Sequence, residues 1–247
     1  MNRIHRTCPV HLETMIFRSQ IQSVDDLRSP AGKLEAILNT GLADAPYSAI
    51  VCHPHPPSGG TMHTKTVYHA MKAFSHFGLP VLRFNFRGTG LSEGAYDDGP
   101  GEIDDVRAAL DWLTAQFPTP ILFAGFSFGS NIGLRACCGD PRVRALVGLG
   151  LPVRASHRDY KYDFLTKCAQ PKLFISGDHD EFSPKGVVEH AIANAPGEKQ
   201  VVWIENADHF FAGIEGSPEP KLLKMQMAMR EWLAATLPDL TVPNAQL

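Results

Sequence analysis

Five residues, Gly125-Phe126-Ser127-Phe128-Gly129, set a serine between two glycines in the pattern G-x-S-x-G. Where a strand bends sharply into a helix, that pattern lifts a serine hydroxyl clear of the sheet. The glycines remove side chains that would crowd the bend. A serine capping an ordinary turn is the alternative, but a cap alone does not require glycine on both sides. An alcohol at neutral pH is a weak nucleophile and needs a base, commonly an imidazole held by a carboxylate. Downstream, "SGDHDEFSP" offers Asp178, Asp180 and Glu181, and "NADHFF" offers His209. The order serine, acid, histidine suits acyl transfer on an α/β sheet. Of the eleven histidines, His209 is favoured by position over His179 and His190. Asp178 and Asp180 compete as the orienting acid, one reaching the imidazole and the other capping the turn.

Acyl transfer also needs donors for the developing oxyanion. One is the N–H of the residue after the serine, Phe128. The other is expected from the loop after an earlier strand, and "AIVCHPHPPSGGT" (49–61) supplies it. Pro54, Pro56 and Pro57 have no N–H, so His55 is the sole backbone donor between Pro54 and Ser58, in a loop the prolines stiffen. His53, His55, His63 and His69 also raise a metal reading, since a catalytic zinc takes three protein ligands. HExxH is absent, however, no cysteine pair is near, and the next carboxylate is Glu93. No metal and no cofactor are expected. "RGTGLSEG" misses G-x-G-x-x-G by one residue, which speaks against a dinucleotide site. "AYDDGPGEIDD" lacks calcium-loop spacing and reads as a solvated turn leading into a helix.

These groups need a scaffold that brings strand ends together. Short apolar runs bounded by Gly or Pro read as strands buried on both faces: 48–52, 81–86, 121–125, 145–150, 172–177 and 200–205. Helical patterns lie between and after them. "TKTVYHAMKAFSHFG" ends in Gly78, "EIDDVRAALDWLTAQF" carries a stripe of Ile103, Val106, Leu110 and Leu113, and "PKLLKMQMAMREWLAATL" closes the series. In "SPKGVVEHAIANA", Ser183 is a candidate N-cap with Pro184 at N1. "MIFRSQI" and "GKLEAILN" suggest an antiparallel pair joined through Pro30-Ala31-Gly32. Alternating strands and helices predict a mostly parallel sheet covered on both faces. The stretch between Gly150 and Lys172 has room for a short helix but not an inserted domain. With no repeat or linker in view, one α/β domain over 1–247 is expected.

Composition narrows the function classes. A net charge of −3 without a Lys/Arg cluster argues against nucleic acid as a partner. No apolar run approaches the roughly 18 residues needed to cross a bilayer, and "MNRIHRTCPVHLETMIF" lacks a secretion-signal core. Five cysteines without CxxC spacing fit a reducing compartment. A cytoplasmic location and a small-molecule partner are the expectation.

Taken in order, "HPHPPSGGT", "LRFNFRGTGLSEG", "GEIDDVRAALDWL", "GFSFGS", "SGDHDEFSP" and "ADHFF" resemble the α/β-hydrolase superfamily. More narrowly, they look like its small lidless bacterial members, similar to dienelactone hydrolases and carboxylesterases. The resemblance implies an α/β-hydrolase fold of about eight strands, one early strand antiparallel, with helices on both faces and no cap domain. It implies Ser127 as nucleophile, Asp180 as acid and His209 as base. A serine rather than a cysteine points to the esterase side, with an open pocket for short, soluble acyl groups. Many relatives have His-Gly where this chain has His53-Pro54. A peptidase, a thioesterase or a catalytically silent binding protein could share the scaffold.

Overall fold

The computed structural model describes residues 19–155, 158–214 and 220–243. Eight strands form one sheet: β1 (Ile21–Val24), β2 (Ala36–Asn39), β3 (Ser48–Cys52), β4 (Val81–Phe84), β5 (Ile121–Phe126), β6 (Val143–Leu149), β7 (Lys172–Gly177) and β8 (Lys199–Ile204). Their spatial order is β1-β2-β4-β3-β5-β6-β7-β8. Strand β2 pairs antiparallel with β1 and β4, and every pairing from β4 through β8 is parallel. The expected architecture, including its single antiparallel early strand, is therefore present.

The parallel strands are apolar throughout because both faces are covered. Side chains alternate between two cores. Ile50, Cys52, Ile121 and Phe123 face one core, completed by α2 (Pro100–Gln116), α3 (Phe128–Cys137) and α4 (Lys185–Ile192). Ala49, Val51, Leu122 and Ala124 face the other, with α1 (Lys65–Ser75) and α5 (Lys221–Thr236). The α2 stripe behaves as its spacing predicts: Val106, Leu110 and Leu113 are buried, and Ile103 packs against them. Between β6 and β7 lie a hairpin of two-residue strands, Arg154–Ala155 with Arg158–Asp159, and a 3₁₀ turn at Asp163–Lys167. No helical cap interrupts the described part of this segment. No described helix is long and apolar enough to cross a membrane.

Two local expectations need correction. The first strand lies at Ile21–Val24, just past most of the "MIFRSQI" window, whose residues 15–18 lie outside the described part. The Pro30-Ala31 turn joins only two short strands, Arg28–Ser29 and Gly32–Lys33, while the longer partner begins at Ala36. Nor does the Ser183 side chain cap α4, whose N-cap is Pro184. Its hydroxyl donates to the Leu151 carbonyl at 2.6 Å, tying the loop after β7 to the loop after β6.

Candidate active site

Ser127 sits between β5 and α3 at φ 54°, ψ −122°, a backbone strained for any residue with a Cβ. Its neighbours hold it there. The Ser127 N–H donates to Leu149 O at 2.9 Å, and its carbonyl accepts the Ser130 hydroxyl at 2.6 Å and the Ser130 N–H at 2.9 Å. Both flanking glycines are sterically required. A Cβ on Gly125 would overlap the Gly129 carbonyl, and one on Gly129 would overlap the carbonyl of His53. The second contact sets the first turn of α3 directly against the loop after β3, the neighbouring strand.

The other two groups arrive from loops just past β7 and β8. His209 Nε2 lies 2.9 Å from Ser127 Oγ, and His209 Nδ1 lies 2.8 Å from Asp180 Oδ2. The remaining carboxylate oxygen of Asp180 accepts the N–H groups of Phe182 at 2.9 Å and Ser183 at 3.1 Å. The imidazole is enclosed by Phe126, Phe182 and Phe210, with ring centroids at 5.0, 4.8 and 5.3 Å. Gly150, at φ 52°, leaves the space against its edge. Asp180 thus takes both parts foreseen for the pair, reaching the imidazole and capping its own turn, whereas Asp178 Oδ1 faces His179 Nδ1 at 2.7 Å and accepts the Ala207 N–H at 3.3 Å. His179 and His190 are exposed.

On the other side of the serine, the N–H groups of Ser58 and Gly60 donate to His55 O, and that of Gly59 to Pro56 O. The N–H of His55 makes no such bond among the described residues. Phe128 opens α3, where the first N–H groups have no partner within the helix. The imidazole of His55 is held by Ser58 Oγ at 2.8 Å and Tyr96 Oη at 2.9 Å. His53 is wholly buried, and its ring is bonded only to the backbone. His69 Nδ1 pairs with Gln226 at 2.8 Å. Among the described residues, no group of three or more His, Cys, Asp or Glu is placed to hold a metal ion.

Ser127 and His209 open into a cavity of about 530 Å³. Its far wall includes residues that short-range spacing did not disclose: Tyr96, Asp98, Arg158 and Tyr160. Tyr96 donates to Asp98 Oδ1 at 2.9 Å, and Arg158 donates to the same oxygen at 2.6 Å. The Arg158 guanidinium also lies over the Phe128 and Tyr160 rings, at 5.4 and 5.0 Å from their centroids. The acidic segment supplying Asp98 is a turn into a helix, as expected, but it is not all solvated. Fully buried Glu102 accepts the N–H groups of Asp97 and Gly99 at the start of α2. Fully buried Asp105 holds Arg87, with contacts from 2.8 to 3.1 Å that include the Arg87 N–H. One available clue was the pair of polar residues in "LRFNF". Buried Arg83 and Asn85 bond the Met62 carbonyl and N–H, fixing the segment just beyond the His55 loop.

Sheet order, the strained bend after β5 and the cavity at the C-terminal strand ends together define an α/β hydrolase. The chain belongs to the family described as Alpha/beta hydrolase domain, whose model matches residues 48–236. An uncharacterized protein of Rickettsia prowazekii (strain Madrid E) is 34% identical over an alignment of 189 residues that covers 74% of this chain and 79% of that one. A lidless α/β serine hydrolase from Xanthomonas campestris shares 32% identity at a TM-score of 0.76, covering 92% of this chain and 99% of its own. An α/β serine hydrolase homologue from Coxiella burnetii shares 31% identity at a TM-score of 0.73, covering 88% and 99%.

Proposed function

We propose that this protein is a metal-independent serine hydrolase that cleaves carboxylic esters of small acyl groups through an acyl-enzyme. The carrying observation is the unbroken line Asp180–His209–Ser127, with contacts of 2.8 and 2.9 Å, opening onto the cavity. The ionised Asp180 carboxylate only accepts hydrogen bonds, so it holds the His209 proton on Nδ1 and leaves the Nε2 lone pair facing the serine. Ser127 Oγ attacks the ester carbonyl while its proton passes to Nε2. The tetrahedral oxyanion is received by the N–H groups of Phe128 and His55. Collapse expels the alkoxide, which takes the proton from His209, and an acyl-serine remains. Water then attacks that acyl group, giving a proton to Nε2; the acyl–Oγ bond breaks, Nε2 returns the proton to Ser127 Oγ, and the acid leaves. Ester and water become acid and alcohol, and the enzyme is restored.

The cavity favours short, uncharged acyl groups. Its wall is mostly apolar and aromatic, and its one exposed ion pair, Arg158–Asp98, is neutral as a unit. Turnover of a p-nitrophenyl short-chain ester tests the reading, together with covalent labelling by a fluorophosphonate. The Ser127→Ala variant should lose at least about 10³-fold in kcat and all labelling. Wild-type rates in that variant, or a wild-type protein that neither turns over esters nor takes up label, would overturn the assignment.

A further inference from the structure

His53 is the one wholly buried histidine of the segment after β3, and the ester-cleaving steps above give its side chain no part. Its two ring nitrogens are both engaged. The Phe86 N–H donates to Nε2 at 2.9 Å. A nitrogen that accepts carries no proton, so the neutral ring bears its hydrogen on Nδ1. Nδ1 lies 2.7 Å from the Pro54 carbonyl and donates to it.

That carbonyl belongs to the same peptide unit as the His55 N–H. In a trans peptide the C=O and N–H point in opposite directions from one rigid plane, and no cis bond occurs among the described residues. Holding the Pro54 oxygen towards the buried ring therefore turns the His55 N–H away from it. We infer that the His53 imidazole is a positioning residue for the oxyanion-binding peptide, fixing the Pro54–His55 plane so that its N–H faces the reacting carbonyl. The inference rests on the serine-hydrolase reading and specifies how one of its two donors is aimed.

Four further observations agree with this role. The peptide is clamped from another side by Gly60, where a Cβ would overlap the Pro54 oxygen. The bonds run head to tail, from Phe86 N–H to Nε2 and from Nδ1–H to Pro54 O. Each bond in such a chain polarises the next, which strengthens the final N–H as a donor. Burial also keeps the ring neutral, pushing the His53 pKa down to about 3. The tautomer that aims the peptide therefore persists across the working pH range. His53 also abuts Phe86, with ring centroids 4.7 Å apart, which fixes the ring plane itself.

Two substitutions separate the two ring nitrogens. Asparagine places an amide nitrogen near the Nδ1 position and can still donate to Pro54. Glutamine reaches the Nε2 position and can still accept from Phe86, but gives up the shorter bond. For p-nitrophenyl acetate, His53→Gln should lower kcat roughly 30- to 100-fold with KM within about twofold, because a misaimed donor mainly weakens the transition state. His53→Asn should stay within about tenfold of wild type. Affinity for an alkyl trifluoromethyl ketone, whose adduct carries the oxyanion, should fall in parallel with kcat/KM across the pair. Gly60→Ala perturbs the same peptide with the imidazole intact, and should also lower kcat with little change in KM. It keeps the inference testable if the glutamine variant fails to fold.

A His53→Gln protein with wild-type kcat would overturn the inference, as would equal losses in the two histidine variants or a Gly60→Ala protein with unchanged kcat. These outcomes would leave the hydrolase reading intact, because the wild type would still turn over ester and take up fluorophosphonate. A wild type that does neither removes both.

Discussion

The cavity has two walls built in different ways. On one side, Asp180 and His209 have side chains only 0% and 7% exposed. They are held by backbone N–H groups, packed phenyl rings and the ends of adjacent parallel strands. On the other, Arg158 and Asp98 are 26% and 78% exposed, and they join a short hairpin to the turn before α2. Burial makes the first wall rigid, because unpaired polar groups there are costly. The second can exchange its contacts with water at little expense. On the proposed function, chemistry that tolerates no misplacement falls to the sheet, and contact with variable parts of a substrate to the hairpin and turn.

Breaking the rigid wall should have the largest effect. Asp180→Asn keeps the shape of the side chain, but its amide can donate to Nδ1 and favour the tautomer that leaves Nε2 protonated. Loss of about 10³- to 10⁴-fold in kcat is expected, with KM changed by less than about threefold. Steady-state kinetics on a short-chain p-nitrophenyl ester gives both numbers. A fall confined to KM would place Asp180 with the recognition wall and dissolve the contrast.

The same division explains what could be read from the chain itself. The limits of β3 and β7 match their apolar runs, and β5 and β8 lie within a residue of theirs. Ser127 and His209 follow strand ends closely enough for local spacing to suggest them, whereas Asp180 was separated from Asp178 only by the family resemblance. Ser183 shows where this fails: a serine before proline has the pattern of a helix cap, but a tertiary bond from its hydroxyl to the Leu151 carbonyl claims it. The recognition wall was harder still. Arg158 meets Asp98 from 60 positions away, a pairing no short-range period encodes. The buried acids Glu102 and Asp105 looked like surface charge because their partners, the turn N–H groups and Arg87, become evident only once α2 docks. The imidazole of His53 was hidden for a similar reason, since its acceptor is a neighbouring backbone oxygen rather than a motif.

Burial of His53 has a second consequence, readable in stability. Its folded pKa is lowered to about 3 from an ordinary value of 6.5. As pH falls below about 6.5, the unfolded chain takes up a proton that the folded ring refuses, so the native state loses ground. The loss continues down to about pH 3 and is absent above pH 7. In that window one such group contributes a slope of about 1.4 kcal/mol per pH unit, stability rising with pH. Urea unfolding of wild type and His53→Asn between pH 6.5 and 4.5 should give a flatter dependence in the variant by about that slope. Parallel curves would mean the ring is protonated inside the fold, against the bond it accepts from Phe86.

The smallest effect is expected at the open wall, and it sharpens the comparison most. Arg158→Met keeps an unbranched apolar stem that can lie over Phe128 and Tyr160 while removing the guanidinium. The pair it breaks is mostly solvated, and such pairs contribute about 0.2–1 kcal/mol. The stacking lost with it is worth a similar amount at an exposed site. Losses of that size predict a modest rise in KM, no more than about tenfold, for an uncharged ester, with kcat within about twofold and Ser127 labelling unchanged. Asp98 then keeps its Tyr96 bond but loses its cation, so an ester with a cationic acyl or alcohol group should gain relative to a neutral one. A kcat loss beyond tenfold with KM unmoved would show that Arg158 acts on the reacting atoms through Phe128, whose ring it covers and whose N–H is the proposed oxyanion donor. The two walls would then be one machine rather than two.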